Sequence, residues 1–360
     1  MMVLLMLYSA LAVFELFLMF RFQWKQKQVH RPVKDKPVSI LVCARNEAHN
    51  LADCLNALIA SDYDFSKVEL LIGDDNSEDD TRAIAARFSS KHSFIKGYDI
   101  QHEKDGLIAK GNVLAQLVDY SIHEIVLIID ADMIVSRHWL KTMVGALSAD
   151  TQMLSGYTQI LRQKGLLVSL QYFDWQVVLH SMKAMADLIR PISILGNNMG
   201  FQRSAYNAVG GWRGLGPTDV EDLGLLQLFQ AKGFKTSQLI SAEGFAQTKP
   251  QLTLKESIEQ RCRWMNGVFT HHFILALPAF FARLWLLVFA VVLCFSWQVA
   301  LVVLAYGTCS NIIKFLQISR RANGNTKFPL LAPWLTSLLD TFALIRLAVK
   351  GKVSWKGRKH

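Results

Sequence analysis

The stretch Glu124-Ile-Val-Leu-Ile-Ile-Asp-Ala-Asp132 constrains this chain more than any other. The branched apolar run from Ile125 to Ile129 is too short for a helix and lacks polar alternation. It reads as a strand buried on both faces, the kind found inside parallel sheets. The strand delivers two carboxylates at its end. On an extended backbone Asp130 and Asp132 are one side-chain period apart and point the same way. Such a pair makes a hard, oxygen-rich site suited to Mg²⁺ or Mn²⁺, ions that commonly complete their shells with substrate phosphates. An Asp-x-Asp also suits a solvated strand end or a helix cap, and neighbouring motifs have to separate these readings.

Upstream, Val38-Ser-Ile-Leu-Val-Cys43 is a short apolar strand, and Ala44-Arg-Asn-Glu-Ala-His-Asn-Leu51 is expected to open a helix running towards Ala60. Val68 to Gly73 is a second strand, ending in Asp74-Asp75-Asn76-Ser77, and Glu78 to Ser89 has helical spacing. Ala109-Lys-Gly-Asn-Val-Leu-Ala115 leads another helix into the Asp130 strand, and His138 to Leu147 returns as a helix. Strands alternating with helices, with polar residues at the C-terminal strand ends, make a doubly wound α/β pattern whose ligand crevice lies beyond those ends.

Further along, Gly165 to Leu188 is a long helical run rich in aromatic residues and methionine, either a core helix or an apolar wall facing membrane or acceptor. Gly196-Asn-Asn-Met-Gly-Phe201 and Gly210-Gly211-Trp212 read as loops. Val220-Glu-Asp-Leu223 starts a helix that continues to Ala231; Glu221 suits a helix-dipole role there, and Asp222 is open to that role or a chemical one. Thr253-Leu-Lys-Glu256 has capping-box spacing, so Gln260, Arg263 and Trp264 share one helix face while Arg261 points elsewhere. A guanidinium can grip phosphate oxygens bidentately, and an indole offers a flat wall for a sugar or acyl group.

The ends of the chain are apolar. Met2 to Phe20 is followed by Arg21, Lys25 and Lys27 and lacks both the leading charge and the small-residue cleavage site of a signal peptide. It reads as an uncleaved anchor whose C-terminal side faces the cytosol. Leu284 to Gly307 reads as one span, or Leu277 to Ile313 as a hairpin, and Phe328 to Val349 is a further apolar stretch interrupted by Asp340 and Arg346. The expected layout is an anchor over 1–21, a basic linker over 22–37, a cytosolic catalytic domain over 38–268, membrane segments over 269–349 and a basic cytosolic tail over 350–360.

A net charge of +10 raises the question of nucleic acid. Its distribution answers it: residues 21–36, 314–327 and 350–360 hold 15 of the 39 basic residues and one of the 29 acidic ones. The remainder is slightly acidic, so positive charge flanks the apolar segments, as the positive-inside rule expects, and no nucleic-acid partner is implied. The five cysteines have no metal-ligand spacing and read as reduced thiols.

The ordered set Ala44-Arg-Asn-Glu47, Asp74-Asp75, Lys110-Gly-Asn112, Asp130-Ala-Asp132, Glu221-Asp222 and Gln260-Arg-Cys-Arg-Trp264 resembles the membrane-bound family-2 glycosyltransferases. That group includes ceramide glucosyltransferases and the cellulose and hyaluronan synthases. The resemblance implies an α/β nucleotide-diphospho-sugar transferase (GT-A) fold with a mainly parallel sheet, flanked by N- and C-terminal transmembrane helices. It implies that Glu47 and Asp75 contact the nucleotide at its ribose and uracil edges, and that Lys110 belongs to the same pocket. Asp130 and Asp132 would surround a Mg²⁺ or Mn²⁺, with Asp132 the more direct ligand. Asp222 takes the place of the general base, and Gln260, Arg263 and Trp264 match the Gln-x-x-Arg-Trp motif at the acceptor and diphosphate end.

Sugar transfer from a nucleoside diphosphate needs positive charge for the leaving group and a carboxylate on the opposite face to take the acceptor's proton. One base without a second carboxylate nucleophile predicts inversion. Asn76 stands where many members of the resembled group have glycine, and Val220 where the polymer synthases usually have threonine. Asn76 bears only on the geometry of its loop; Val220 and the few C-terminal spans favour single transfer from a nucleotide-sugar donor to a lipid acceptor. The enzyme is expected in the cell membrane, multi-pass, with its catalytic domain cytosolic. A processive polysaccharide synthase and a catalytically silent membrane scaffold are the competing readings.

Overall fold

The computed structural model describes residues 34–147, 150–216, 218, 220–241, 243–266, 283–321 and 331–350, with isolated residues nearer the two ends. Most of the expected N-terminal anchor, the basic linker and the basic tail lies outside them, as do 267–282. The chain forms two compact units, one of Val29–Gln159 and Met185–Lys249, the other of Met1–Gln28, Ile160–Ala184 and Pro250–His360.

The first of these is an α/β unit built on strands β1 (Val38–Ala44), β2 (Val68–Asp74), β3 (Ile95–Asp99), β4 (Ile125–Asp130), β5 (Met133–Val135), β6 (Met153–Ser155), β7 (Tyr157–Ile160), β8 (Asn198–Gln202), β9 (Thr236–Gln238) and β10 (Phe245–Thr248). Seven strands form one sheet in the order β3-β2-β1-β4-β8-β6-β9, and β5-β10-β7 form a second. In the large sheet β1 pairs in parallel with β2 and β4, β2 with β3, and β6 with β9, whereas β8 runs antiparallel to both β4 and β6. The expected mainly parallel α/β sheet is what forms.

Period-two alternation divides the core. Val38, Ile40, Val42, Ile125, Leu127 and Ile129 pack on one face, with Leu55 and Leu58 of helix Leu51–Ile59. Leu41, Leu71, Val126 and Ile128 pack on the other, with Leu114 and Leu117 of helix Ala109–Tyr120. Both faces are covered, so the strands carry no polar alternation. Gly73 allows the second helix to sit close, because a Cβ there would lie 2.5 Å from Val113 Cγ1.

Three local expectations need correction. Residues 45–50 are a turn, and the first helix starts only at Leu51, because Asn46 is left-handed with φ of 53°. Asn198–Gln202 is a buried strand. Its glycine content reflects close packing, since a Cβ on Gly200 would lie 2.5 Å from Leu127 Cδ2. The backbone turns at Ala131 and Asp132, between β4 and β5, so the two aspartates do not share one extended strand.

In the other unit, helix Leu166–Leu188 contributes its residues up to Ala184. The capping box forms as read: Thr253 N–H donates to Glu256 Oε2 at 3.1 Å and Glu256 N–H to Thr253 Oγ1 at 3.2 Å, opening a helix over 254–266. The apolar run from Leu284 to Gly307 is broken at 294–296, giving helices Trp285–Leu293 and Trp297–Arg321. Segments Trp297–Leu316 and Ala332–Val349 are long and apolar enough to cross a membrane.

Candidate active site

The C-terminal ends of β1, β2 and β4 lie side by side, with Cys43 in register with Asp130 and Ala44 with Asp74. The two loops that follow β1 and β2 are wired to each other. Asn46 N–H donates to Ser77 Oγ at 2.9 Å and Glu78 N–H to Asn46 Oδ1 at 2.9 Å. Asp75 N–H donates to the Ala44 carbonyl at 2.8 Å, and Arg45 Nη1 to the Asp75 carbonyl at 2.9 Å. Asn76, like Asn46, is left-handed, with φ of 51°. Asparagine tolerates that region better than most residues, which is why it can stand in a glycine position. This wiring buries Glu47 and Asp75. Glu47 Oε2 accepts from Asn50 Nδ2 at 2.6 Å.

Lys110, in the first turn of its helix, reaches across to β4. Its Nζ donates to Asp130 Oδ1 at 2.5 Å and to the Gly196 carbonyl at 3.1 Å. Burial works against the ammonium, but Asp130 and Glu221 push its pKa above the ordinary lysine value. Gly196 is bound from both sides, because its N–H donates to Asp222 Oδ2 at 2.8 Å. A Cβ on Gly196 would lie 2.7 Å from that oxygen, so only glycine permits this approach. Asp222 Oδ1 accepts from Leu223 N–H at 2.7 Å.

Burial raises the Asp222 pKa, with Lys110 and the two backbone donors opposing and Asp130 adding to the rise. Glu221 is pushed up to about 7 by burial, against Lys110 and with Asp222. The arrangement holds a carboxylate that is more basic than usual but still oriented by two N–H groups.

Two thiols lie near these carboxylates, Cys43 half-buried at the end of β1 and Cys54 buried. Burial pushes Cys43 up; Lys110 opposes this, and Asp75, Asp130 and Glu221 reinforce it. Burial also raises Cys54, reinforced by Asp132, Asp130 and Glu47. Asp130 and Asp132, on the two sides of the turn after β4, both raise the Cys54 thiol.

Of the residues expected from sequence, Glu47, Asp75, Lys110, Asp130, Asp132 and Asp222 gather within the α/β unit. Gln260, Arg263 and Trp264 belong to the other unit, on the 254–266 helix, with Gln260 and Arg263 half-buried. Trp264 is 43% exposed and lies against Trp175, ring centroids 5.1 Å apart. Sequence reasoning missed Gly196 and assigned Glu221 a helix-dipole role only. The consecutive acids of Glu221-Asp222 were the available signal for the second; nothing local marks the first.

The family model described as glycosyl transferase family 21 matches residues 4–360. Glycosyltransferase AglE of Haloferax volcanii is 32% identical over 111 residues, 31% of this chain and 35% of that protein. Poly-beta-1,6-N-acetyl-D-glucosamine synthase of Staphylococcus epidermidis is 24% identical over 189 residues, 52% of this chain and 44% of that one. These matches thus span less than half the length of either relative. The mannosyltransferase PcManGT from Pyrobaculum calidifontis superposes with a TM-score of 0.52 at 19% identity, covering 96% of this chain and 92% of that one, and so shares the fold. The chain belongs to glycosyl transferase family 21 and is a family-2-type glycosyltransferase.

Proposed function

We propose that this protein transfers one sugar, with inversion, from a nucleotide-sugar donor to a membrane lipid at the cytosolic face. The observation that carries the reading is Asp222: half-buried, raised in basicity, and held by Gly196 N–H and Leu223 N–H beside Lys110 and Asp130. In this reading the acceptor oxygen bonds to the anomeric carbon while the bond from that carbon to the diphosphate oxygen breaks. The hydroxyl proton passes to Asp222 and the electron pair leaves with the nucleoside diphosphate. Glu47 and Asp75 hold the nucleoside, which we assign as uridine, and Lys110 sets the charge beneath the diphosphate. Gln260, Arg263 and Trp264 are assigned to the acceptor and diphosphate end.

A divalent cation fits this donor set. Asp130 ends β4 and Asp132 lies in the turn that follows it, and among the described residues no three His, Cys, Asp or Glu side chains gather as a complete ligand set. Two carboxylates that leave the remaining positions to substrate oxygens suit Mg²⁺ or Mn²⁺. Bound there, the ion would supply positive charge against the departing diphosphate. The PcManGT structure of the same fold holds GDP-Man and Mn²⁺.

Similarity to a poly-N-acetylglucosamine synthase keeps a processive synthase as the second reading. Purified protein incubated with radiolabelled nucleotide sugars, membrane lipid extract and Mn²⁺ separates the two. Single transfer gives one organic-soluble labelled spot on a thin-layer plate, and polymerisation leaves label at the origin. A silent scaffold gives no incorporation. Asp222→Asn is expected to lower kcat at least about 100-fold with the unfolding midpoint retained. Full activity in that variant sinks the base assignment.

A further inference from the structure

Length and composition would let Ala332–Val349 cross a bilayer, but its contacts assign it another place. Asp340, Ala343 and Leu347, spaced by three and four positions, share one helix face. Asp340 accepts from Arg261, the Ala343 carbonyl accepts from Cys262 Sγ at 3.2 Å, and Leu347 packs against the cluster of Cys262, Met265 and Ala343. Beside them Arg346 pairs with Glu259 at 2.8 Å. The contact therefore follows the helix from Asp340 to Leu347, about 10 Å. Its partner, the helix over 254–266, carries Lys255, Glu256, Glu259, Arg261 and Arg263. Charges at that density keep the partner out of the hydrocarbon core, and with it the turns that dock on it. What remains is 332–339, about 12 Å of helix against a core of about 30 Å. That is too short to cross.

The opposite face is apolar and bare. Leu338, Phe342, Ile345 and Val349, spaced by four, three and four positions, are 42% to 78% exposed. At about 100° per residue they fall within roughly 60° of one another, and Asp340, Ala343 and Leu347 lie across the helix from them. Three of the four stand beyond Asp340, alongside the charged helix. In water they would leave a stripe of large apolar side chains uncovered. Ionic contacts on one side and an apolar stripe on the other belong at the boundary between headgroups and acyl chains.

Two further observations identify lipid as the occupant. Pro333 and Thr336 meet Asn311 and Lys314 near the end of the apolar segment Trp297–Leu316, so the helix starts at an edge of a segment able to span. Residues 350–360 then add five basic residues and no acidic one, a charge complementary to anionic headgroups. We propose that helix Ala332–Lys350 lies in the plane of the bilayer at its headgroup boundary, with Leu338, Phe342, Ile345 and Val349 in lipid. Asp340, Ala343 and Arg346 hold the helix over 254–266 against that surface. Gln260 and Arg263 are thereby kept at the level where a lipid acceptor presents its hydroxyl. The inference rests on the membrane location in the reading above and adds that both ends of this helix are on one side.

The test is photolabelling of the full chain in liposomes of dioleoylphosphatidylcholine and dioleoylphosphatidylglycerol. These carry a phospholipid with a diazirine either near the glycerol end of its acyl chain or at the far end, and labelled residues are mapped by peptide mass spectrometry. The shallow probe is expected to label Phe342, Ile345 and Val349 at least about threefold more than the deep probe, because an in-plane helix sinks only about 5–10 Å. Val302 and Ala305, exposed on helix Trp297–Arg321, are the internal reference and are expected to take the deep probe. Deep labelling of Phe342 and Ile345 that matches or exceeds the shallow labelling means that the helix crosses, and overturns the proposal. Label on Val302 and Ala305 with none on the stripe overturns lipid as the occupant. No label on either helix overturns the membrane location, and the proposal with it.

Discussion

Gly196 contributes no side chain, yet its carbonyl accepts from Lys110 and its N–H orients Asp222. Gly196→Ala would bring a Cβ to 2.9 Å from Asp222 Cβ, so the carboxylate must move. Misplacement of a reacting group by about 1 Å can cost ~100-fold, so kcat should fall by 10-fold to about 100-fold with little change in donor KM. Wild-type kinetics in this variant would remove Gly196 from the positioning of the base. Beside it, Glu221 is raised from 4.5 to about 7. Between those values the native protein keeps a proton that the unfolded chain has released. This residue's stabilising contribution is therefore complete below about pH 4.5 and is lost as pH rises through 7. In EDTA, urea unfolding at pH 5 and pH 8 should show a smaller loss for Glu221→Gln than for the wild type. Parallel losses would mean that Glu221 titrates normally.

At the level of elements, Arg261 shows how a residue inside the Gln260–Trp264 stretch serves structure. It lies between Gln260 and Arg263 but is 3% exposed and paired with Asp174 and Asp340. The same bond explains why an acid interrupts an apolar helix: Asp340 is neutralised by Arg261 and Arg283, so Ala332–Lys350 docks through an ionic contact as well as through Ala343 against Cys262. Arg346 pairs with Glu259 at 2.8 Å. Asp340→Ala leaves two guanidinium groups with Asp174 alone and is expected to cost about 3 kcal/mol, because a buried charge loses its partner. Thermal unfolding in detergent measures it, and an unchanged midpoint would mean that the pairing adds nothing.

At the scale of the whole molecule, the family relationship extends over residues 4–360, so the apolar C-terminal helices are within the match as well as the α/β unit. Two of them have the length and apolarity to span a bilayer. The full chain is expected to stay in the membrane pellet after an alkaline carbonate wash. Release into the supernatant would contradict membrane integration. Strands β1, β2 and β4 were legible because apolar runs of five or six residues admit few alternatives once helical segments separate them, whereas the short strands β3, β5, β6, β7, β9 and β10 carry no such run. β8 was not, because glycine and asparagine signal a loop locally and a close-packed strand only when β4 lies against them.

Local chemistry alone determined the alternation of strands β1, β2 and β4 with helices, the acids at the strand ends, the capped helix at Thr253 and the charge that flanks the apolar segments. These follow from periodicity and side-chain type over a few residues. Only the tertiary structure decided that the backbone turns between Asp130 and Asp132, that Gly196 joins Lys110 to Asp222, and that Asp340 answers Arg261. Each is a contact between residues 26 or more positions apart, or a backbone direction set by neighbouring strands. Sequence spacing carries no information about either.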